Sequence, residues 1–348
     1  MIRWAVLAVA AVLCGPPAAA QARLFTADSE LQITIAAPFA ELVRRAPRST
    51  DPFPATLTHQ PASGAAQTYQ IALSPRGLTR RTRGFCTFPP LRVEFQSPRR
   101  GAVFAGQSRL KLVVHCRPSA RHAELVVLEY LAYRLYNEIT PLSFRVRPAR
   151  VTYRDTSGRR REETQFAFFI EDVDRMAQRN GRIELEVAPR TVTVEQLDPA
   201  AAADFALFQF MIGNLDWDMR AGPEGEECCH NSKLIARARA PRSAVVPTPY
   251  DFDHSGFVAA PYAQPPPEIP VANVRQRWYR GYCRHNDALS AAAERFRARR
   301  SAMLALIDGE TRLSAARRAT ARRYIESFFA ILDDPDAFRR QILGRCRG

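Results

Sequence analysis

The spacing of hydrophobic residues changes along the chain, and this change constrains the fold more than any other sequence feature. Between residues 23 and 115, apolar and polar residues alternate in short segments such as Leu31–Ile35, Thr68–Leu73 and Leu91–Phe95. Such alternation is typical of half-buried β-strands. Beyond residue 173, apolar residues recur at intervals of three and four, which is typical of amphipathic helices. The sequence therefore predicts a β-rich first part and a mainly helical second part.

One amphipathic helix is predicted within the β-rich part, over Glu124–Ile139, with Pro141 as its stop signal. Glu129 lies at the edge of the apolar stripe of this helix, where a half-buried carboxylate favours a cationic partner. Lys111, on the preceding strand Leu110–Val114, is the nearest candidate along the chain. A rim glutamate in contact with water is the alternative.

Three polar positions stand out among apolar surroundings later in the chain: Asp216, Asn231 and Asp251. Asp216 follows a predicted helix, Ala200–Ile212, that starts after an Asp-Pro pair and ends at a Gly-Asn pair. Carboxylate and amide oxygens suit a hard divalent cation that also contacts a triphosphate. The pattern indicates a metal-assisted group-transfer site.

A turn rich in arginine and glycine, residues 76–84, lies between two predicted strands. Backbone amides and guanidinium groups of such a turn can surround a phosphate, and Arg76 and Gly77 are the candidate residues. A solvated hairpin is an equally good interpretation, because the turn lacks a GxGxxG spacing.

Taken in order, several motifs resemble the CotH family of spore-coat protein kinases and, more distantly, HipA-type and Golgi casein kinases. They are the Lys111 strand, the EYLAYRLYNEI helix, the hairpin end FFIEDVD, then IGNLDW, HN and PYDFDHSG. The resemblance covers roughly residues 70–285. It implies an α+β, bilobal protein-kinase-like fold, with a β-rich nucleotide-binding lobe over residues 23–172 and a mainly helical lobe over residues 173–348.

The resemblance also implies a role for each candidate residue. Asp216 would orient or deprotonate the acceptor hydroxyl, Asn231 and Asp251 would hold Mg²⁺ or Mn²⁺, and a Lys111–Glu129 pair would hold the phosphates of ATP or another nucleotide. This sequence departs from the family pattern at three places, which leaves parts of the assignment open. They are Asp253 at a usual glycine position, which leaves open a second metal ligand, Leu78 in place of an asparagine after Arg76-Gly77, and Arg92 as an alternative to Lys111.

The predicted activity is transfer of a phosphoryl group from a nucleoside triphosphate to a Ser or Thr hydroxyl of an exported protein. A catalytically inactive kinase-like binding module and a nucleotidyl transferase are the alternatives. Asn231 lies fifteen residues after Asp216, so the intervening loop must fold back if the two residues are to act in one site. A zinc protein is a further alternative, with ligands drawn from Cys228, Cys229, His230, Cys283 and His285.

Features of a secretory signal peptide occupy residues 1–22: Arg3, the apolar run Trp4–Leu13, and small residues before the expected cleavage site. No later segment is long and apolar enough to suggest stable membrane insertion. We therefore expect a periplasmic or extracellular protein, and one to three disulfides among the six cysteines that follow Cys14, with their connectivity open.

The formal net charge of +15 does not by itself indicate nucleic-acid binding. Only two of the 50 basic residues are lysines, and the arginines are scattered rather than gathered into a patch. We expect no nucleic-acid partner. An acidic exported protein remains compatible as the substrate.

Overall fold

The computed structural model describes residues 23–82, 84–96, 102–222 and 228–348, so the predicted signal peptide of residues 1–22 lies outside the described residues. Ten strands are found in these ranges: β1 Leu31–Ala37, β2 Phe53–Gln60, β3 Gln67–Pro75, β4 Leu91–Phe95, β5 Arg109–Val113, β6 Val146–Asp155, β7 Glu163–Ile170, β8 Ile183–Glu184, β9 Ser232–Ala236 and β10 Val246–Pro249. The same ranges contain seven α-helices: α1 Phe39–Arg45, α2 Ala120–Ile139, α3 Val173–Arg179, α4 Pro199–Ile212, α5 Leu289–Asp308, α6 Ala315–Asp333 and α7 Pro335–Gln341.

The first seven strands close into a barrel in the order β1-β2-β3-β4-β5-β7-β6. All neighbouring pairs are antiparallel except β1 and β6, which run parallel from Leu31↔Ala149 to Ala37↔Asp155. Alternate side chains fill the interior, as the burial of Leu31, Ile33 and Ile35 along β1 illustrates. The barrel thereby leaves no free sheet edge.

The predicted bilobal protein-kinase-like fold is wrong, because the β-rich part is a closed seven-stranded mixed barrel and not a lobe built on an open sheet. The decisive pairing joins β1 to β6, more than a hundred residues apart in the chain. Period-two alternation reports which face of a strand is buried but not which strand lies beside it. Strand β2, which contains Pro54, is also absent from the sequence prediction.

A second hydrophobic core lies outside the barrel and gathers α2, α4, α5 and α6. The predicted helix around Glu124–Ile139 is confirmed and begins earlier, at Ala120, after the capping side chain of Ser119. Helix α2 is buried on several faces because it packs on α5, α4 and strand β7. It therefore connects the barrel wall to the helical core.

Helix α4 is also confirmed, with Asp198 as its capping residue and Pro199 in its first turn. It ends at Gly213, whose φ of 62° is a left-handed conformation that glycine adopts without strain. A Cβ at this position would overlap the hydroxyl of Tyr324, so the close approach also requires glycine. The turn after this helix end carries Asp216.

Three disulfides join the six cysteines of the described residues: Cys86–Cys116, Cys228–Cys229 and Cys283–Cys346. This agrees with the predicted number and is compatible with the predicted export. Within the described ranges, no helix combines the length and the apolar character needed to cross a bilayer.

Candidate functional site

A cleft of about 670 Å³ is lined on one side by the barrel and on the other by the segment that runs from Asp216 to His254. It brings together these predicted site residues: Arg76, Gly77, Lys111, Asp216, Asn231, Asp251 and Asp253. Glu129 lies behind them, in a small adjoining cavity that Arg80, Asp253 and Tyr262 also line. Positions between Arg76 and Asp253, far apart in the sequence, thus meet at one place.

Asp216 is fixed by the turn that follows α4. The side chain of Asn214 accepts a hydrogen bond from the Asp216 backbone N–H (3.1 Å), and the Asn214 carbonyl accepts one from the buried indole of Trp217 (2.9 Å). The Asn214 N–H in turn donates to the Gln209 carbonyl at the end of α4 (2.8 Å). The carboxylate therefore projects from a rigid support.

Both oxygens of the Asp216 carboxylate accept hydrogen bonds. His230 Nε2 lies 2.7 Å from Oδ1, and Asn231 Nδ2 donates to Oδ2 at 3.0 Å and to the Asp216 carbonyl at 2.6 Å. Burial alone would raise the pKa of Asp216, but the His230 hydrogen bond, the His230 and His254 charges and the Asn231 amide together lower it. Asp216 is therefore a stabilised anion.

These contacts bring Asn231 next to Asp216, as the assignment requires. The turn into Asn231 contains the Cys228–Cys229 disulfide, and both cysteines line the cleft. Because all six described cysteines are paired, none of them offers a thiolate to zinc. Within the described residues, no group of three or more His, Cys, Asp and Glu side chains is arranged to hold a metal ion.

Asn231 and Asp251 share an unusual backbone conformation. Their φ angles are 50° and 63°, a left-handed region that costs a residue other than glycine free energy of order 1 kcal/mol or more. The Asp251 N–H donates to the hydroxyl of Tyr133 on α2 (2.9 Å), and the Tyr250 N–H donates to the Asn231 carbonyl (3.1 Å). Strand β10 and helix α2 thus hold the two polar side chains in the same cleft.

Asp253 and Glu129 form a buried acidic cluster with few compensating charges. The Tyr262 hydroxyl donates to Asp253 Oδ2 (2.9 Å), and Arg80 lies 4.0 Å from the same oxygen. Burial and the charge of Asp251 raise the pKa of Asp253. Burial, followed by the charges of Asp253 and Asp251, raises the pKa of Glu129 well above its usual value.

The predicted Lys111–Glu129 ion pair is not formed. Among the described ion pairs within 4.0 Å none joins these residues; Lys111 Nζ instead lies 4.0 Å from the centroid of the Tyr250 ring. Glu129 is buried on α2, where Arg80 lowers its pKa more than any other cation does. The prediction fails because a helical stripe indicates which face is buried but not which strand side chain lies opposite it.

Lys111 belongs to a cluster of cations on the barrel side of the cleft. Arg92 faces Lys111 across the β4–β5 ladder, and Arg76 follows strand β3. Burial first, and then the charge of Arg76, lower the pKa of Lys111 to about 7. Since Arg92 and Lys111 both line the cleft, the structure leaves both as candidates for phosphate contact.

The Arg76–Gly77 turn also reaches the cleft. Gly77 has a φ of 75°, and its carbonyl accepts a hydrogen bond from the Arg81 side chain. A left-handed glycine at this point turns the chain back over the cleft. The turn contributes Leu78, which is 65% exposed, to the lining as well.

Sequence reasoning did not assign the observed roles of several residues that shape the site: His230, His254, Arg80, Tyr133 and Tyr262. Of these, the sequence indicates His230 only as a possible zinc ligand. His230 and His254 each directly follow or precede a predicted site residue, and this adjacency is the one sequence signal that could have found them. Tyr133 lies on α2 and Tyr262 in a proline-rich segment, and each reaches the cleft only through tertiary packing.

The types of donor atom match the implied cation, although no group of three or more His, Cys, Asp or Glu side chains in the described ranges is arranged to hold a metal ion. Asp251, Asp253 and the Asn231 amide offer hard oxygens, which Mg²⁺ and Mn²⁺ prefer. Burial first, and then the neighbouring carboxylates, raise the pKa values of Asp253 and Glu129. A divalent cation close to these groups would favour their charged forms.

A scan against models of known protein families finds no match to this chain. A search of curated proteins likewise finds no match.

Proposed function

We propose that this protein is a metal-dependent phosphotransferase that moves the terminal phosphoryl group of a nucleoside triphosphate to a Ser or Thr hydroxyl of an exported protein. The observation that carries the proposal is the division of charge in one cleft. Arg76, Arg92 and Lys111 line its barrel side, and Asp216, Asp251 and their neighbours line the other. Phosphoryl transfer depends chiefly on positioning and charge stabilisation, which this division provides.

The cationic side suits the polyphosphate of the donor. In the free protein, Lys111 has a pKa of about 7 because it is desolvated and surrounded by other cations. A bound triphosphate supplies the missing negative charge and favours the ammonium form. Nucleotide binding at neutral pH should therefore be accompanied by proton uptake at Lys111.

Asp216 suits the acceptor. His230 and Asn231 hold its carboxylate, and its pKa is lowered, so the carboxylate stays ionised. It can therefore accept a hydrogen bond from a hydroxyl, but it is poorly suited to keep the proton of that hydroxyl. We assign it the orientation of the acceptor oxygen toward the phosphoryl group.

Asp251, Asp253 and Asn231 would hold the divalent cation, which supplies neutralisation of the phosphate oxygens during transfer. Asp251, Asp253 and Asn231 line the same cleft as Asp216 and the cationic residues of the barrel side. The likeness to CotH-family kinases enters the proposal only through these site residues, since the bilobal fold that it implied is wrong.

The test uses the exported protein with γ-labelled ATP, Mn²⁺ or Mg²⁺ and a dephosphorylated serine-rich acidic protein as acceptor. We expect metal-dependent label transfer, lowered on the order of 10²-fold or more by Asp216→Asn and by Asp251→Asn. Asp251→Asn should also remove the metal-dependent thermal shift with nucleotide, whereas Asp216→Asn should keep it. Asp287→Asn, an exposed carboxylate outside the cleft, is the matched control. Equal transfer by wild type and Asp251→Asn would refute the proposal.

A nucleotide-binding module without turnover is the second candidate, and the missing Lys111–Glu129 pair is the observation that favours it. In that case the wild type would show the metal-dependent thermal shift with nucleotide but no label transfer. The same two measurements therefore separate the candidates.

A further inference from the structure

The disulfide between Cys228 and Cys229 differs from the other two in what it encloses. It joins adjacent residues, whereas the others join cysteines 30 and 63 positions apart. A disulfide stabilises a fold through the chain entropy that it removes from the unfolded state, and this effect grows with the size of the closed loop. A link between neighbours closes almost no loop. Its contribution must therefore be local.

Its location is also distinct. Cys228 and Cys229 both line the cleft that contains Asp216, and among the described residues no other cysteine does so. The two residues are only 5% and 6% exposed. Thiol–disulfide exchange requires a thiolate to reach one of the sulfurs. The cleft is therefore the route of access, and an occupant of the cleft would obstruct it.

The disulfide directly precedes the two residues that hold Asp216. His230 and Asn231 follow Cys229 in the chain and bond to the two oxygens of the Asp216 carboxylate. The backbone of the turn is also held by hydrogen bonds: Cys229 and Ser232 form a reciprocal pair with both N···O distances at 3.4 Å, and the His230 N–H donates to the Ala221 carbonyl at 2.8 Å. The disulfide adds a covalent link to these bonds, directly before His230.

We propose that Cys228–Cys229 is a redox-active site whose opening by a dithiol reductant loosens the hold of His230 and Asn231 on Asp216. Asn231 adopts the left-handed region, with a φ of 50°, and opening the disulfide removes one of the constraints that keep the chain in this conformation. That this opening regulates phosphoryl transfer rests on the proposed function.

The exchange balances without any further reactant. One thiolate of the dithiol attacks a sulfur of the Cys228–Cys229 bond, which breaks and releases the other cysteine as a thiolate. The second thiol of the reductant then displaces the protein from the mixed disulfide. Two electrons and two protons pass to Cys228 and Cys229, which end as thiols, and the reductant ends as a disulfide.

Ligand binding and reduction should oppose each other, because thermodynamic coupling between two events is reciprocal. Asn231 is one of the residues proposed to hold the cation, so a less well-fixed Asn231 should weaken binding of the metal–nucleotide complex. A loss equal to about one hydrogen bond, roughly 1 kcal/mol, corresponds to an about five-fold weaker affinity. Conversely, Mn²⁺ with nucleotide in the cleft should slow the opening of the disulfide.

The first experiment compares two double variants of the purified protein, labelled at its histidines for NMR, with the His230 resonance assigned through His230→Gln. Cys228→Ser with Cys229→Ser should leave the melting temperature nearly unchanged but shift the His230 resonance and weaken Mn²⁺–ATP binding about five-fold. Cys283→Ser with Cys346→Ser is the matched control, and it should lower the melting temperature and leave the His230 resonance in place. An unchanged His230 resonance in the first variant would overturn the proposal.

The second experiment avoids substitutions. The wild type is treated with increasing dithiothreitol, open cysteines are alkylated, and the peptides are mapped by mass while the fold is followed by circular dichroism. We expect Cys228–Cys229 to open reversibly while the protein stays folded, more slowly with Mn²⁺–ATP, and with the same shift of the His230 resonance. Opening only on global unfolding contradicts the proposal. If the oxidised protein binds no nucleotide, the proposed function is wrong. The shift of the His230 resonance on reduction still tests the redox site in that case.

Discussion

Two groups of charged residues in and beside the cleft differ in how far their charges are balanced. Around Asp216, donors converge on the carboxylate and lower its pKa. Around Lys111 and Glu129, like charges gather and burial is not offset: the pKa of Lys111 falls to about 7, and that of Glu129 rises well above its usual value. The first group is complete in the free protein. The second lacks counter-ions, as expected of a site that a charged ligand completes.

The largest expected effect concerns Lys111→Met. A base whose folded pKa lies below its unfolded pKa binds fewer protons in the folded state between those values, so its contribution to stability grows as the pH rises. For Lys111 this window runs from about 7 to the usual 10.5, with a slope of up to about 1.4 kcal/mol per pH unit. Lys111→Met should remove that slope in urea unfolding experiments at successive pH values.

Lys233→Met is the control for this substitution, because Lys233 Nζ already pairs with Glu184 at 2.7 Å. Lys233→Met should keep most of the wild-type slope between pH 7 and 10.5, because the charge of Lys233 lowers the pKa of Lys111 less than burial and Arg76 do. If Lys111→Met keeps the wild-type slope, the proposed contrast between the balanced charge of Asp216 and the unbalanced charges of Lys111 and Glu129 is wrong.

Asp216→Asn tests the group whose charge is balanced by hydrogen-bond donors. Because the pKa of Asp216 is lowered in the folded protein, its carboxylate stabilises the fold fully above its usual pKa of 3.8, and this contribution is lost as the pH falls through the folded pKa. Loss of a hydrogen bond to a charged group should lower the free energy of unfolding at pH 6 by about 1.5–3 kcal/mol. Urea titrations at pH 6 and pH 3 should show the difference shrinking at the lower pH.

Glu129→Gln tests the group whose charges are not balanced. It should change the free energy of unfolding in the opposite direction to Asp216→Asn. The pKa of Glu129 is raised, so its contribution to stability is fully present below pH 4.5 and is lost as the pH rises through the folded pKa. The neutral amide avoids this loss and should raise the free energy of unfolding at pH 8 by on the order of 1 kcal/mol. If Glu129→Gln instead destabilises the protein at pH 8 as much as Asp216→Asn does, the two groups do not differ in how their charges are balanced.

The smallest effect should distinguish Arg92 from Lys111 as the phosphate contact. Arg92→Gln removes one charge from the cationic side without removing a buried ion pair, and we expect an about five-fold loss of nucleotide affinity by calorimetry. Lys111→Met should cost more, because the Lys111 ammonium is desolvated. The reverse order would assign the phosphate contact to Arg92.

Local sequence signals performed well where the structure is decided by neighbours in the chain. The Asp-Pro start and glycine end of α4 were readable because capping depends on residues within one turn. Asp216, Asn231, Asp251 and Lys111 were recognised as candidates because burying a polar group among apolar residues costs free energy, which suggests a function at such positions.

Long-range partners were not readable in the same way. Glu129 was expected beside Lys111 but lies near Arg80, and His230 and Tyr133 were not expected to bond to site residues at all. Each of these contacts depends on how separate elements dock, which the period of a strand or helix does not specify.

The sequence by itself determined the β-rich and helical segments and most residues of the candidate site, because periodicity, capping and the cost of isolated polar groups act over short distances. Only the tertiary structure decided that the strands close into a barrel through β1 and β6, and that Asn231 returns to contact Asp216. Both depend on contacts between distant parts of the chain, whose alternatives share the same local pattern and differ only in packing.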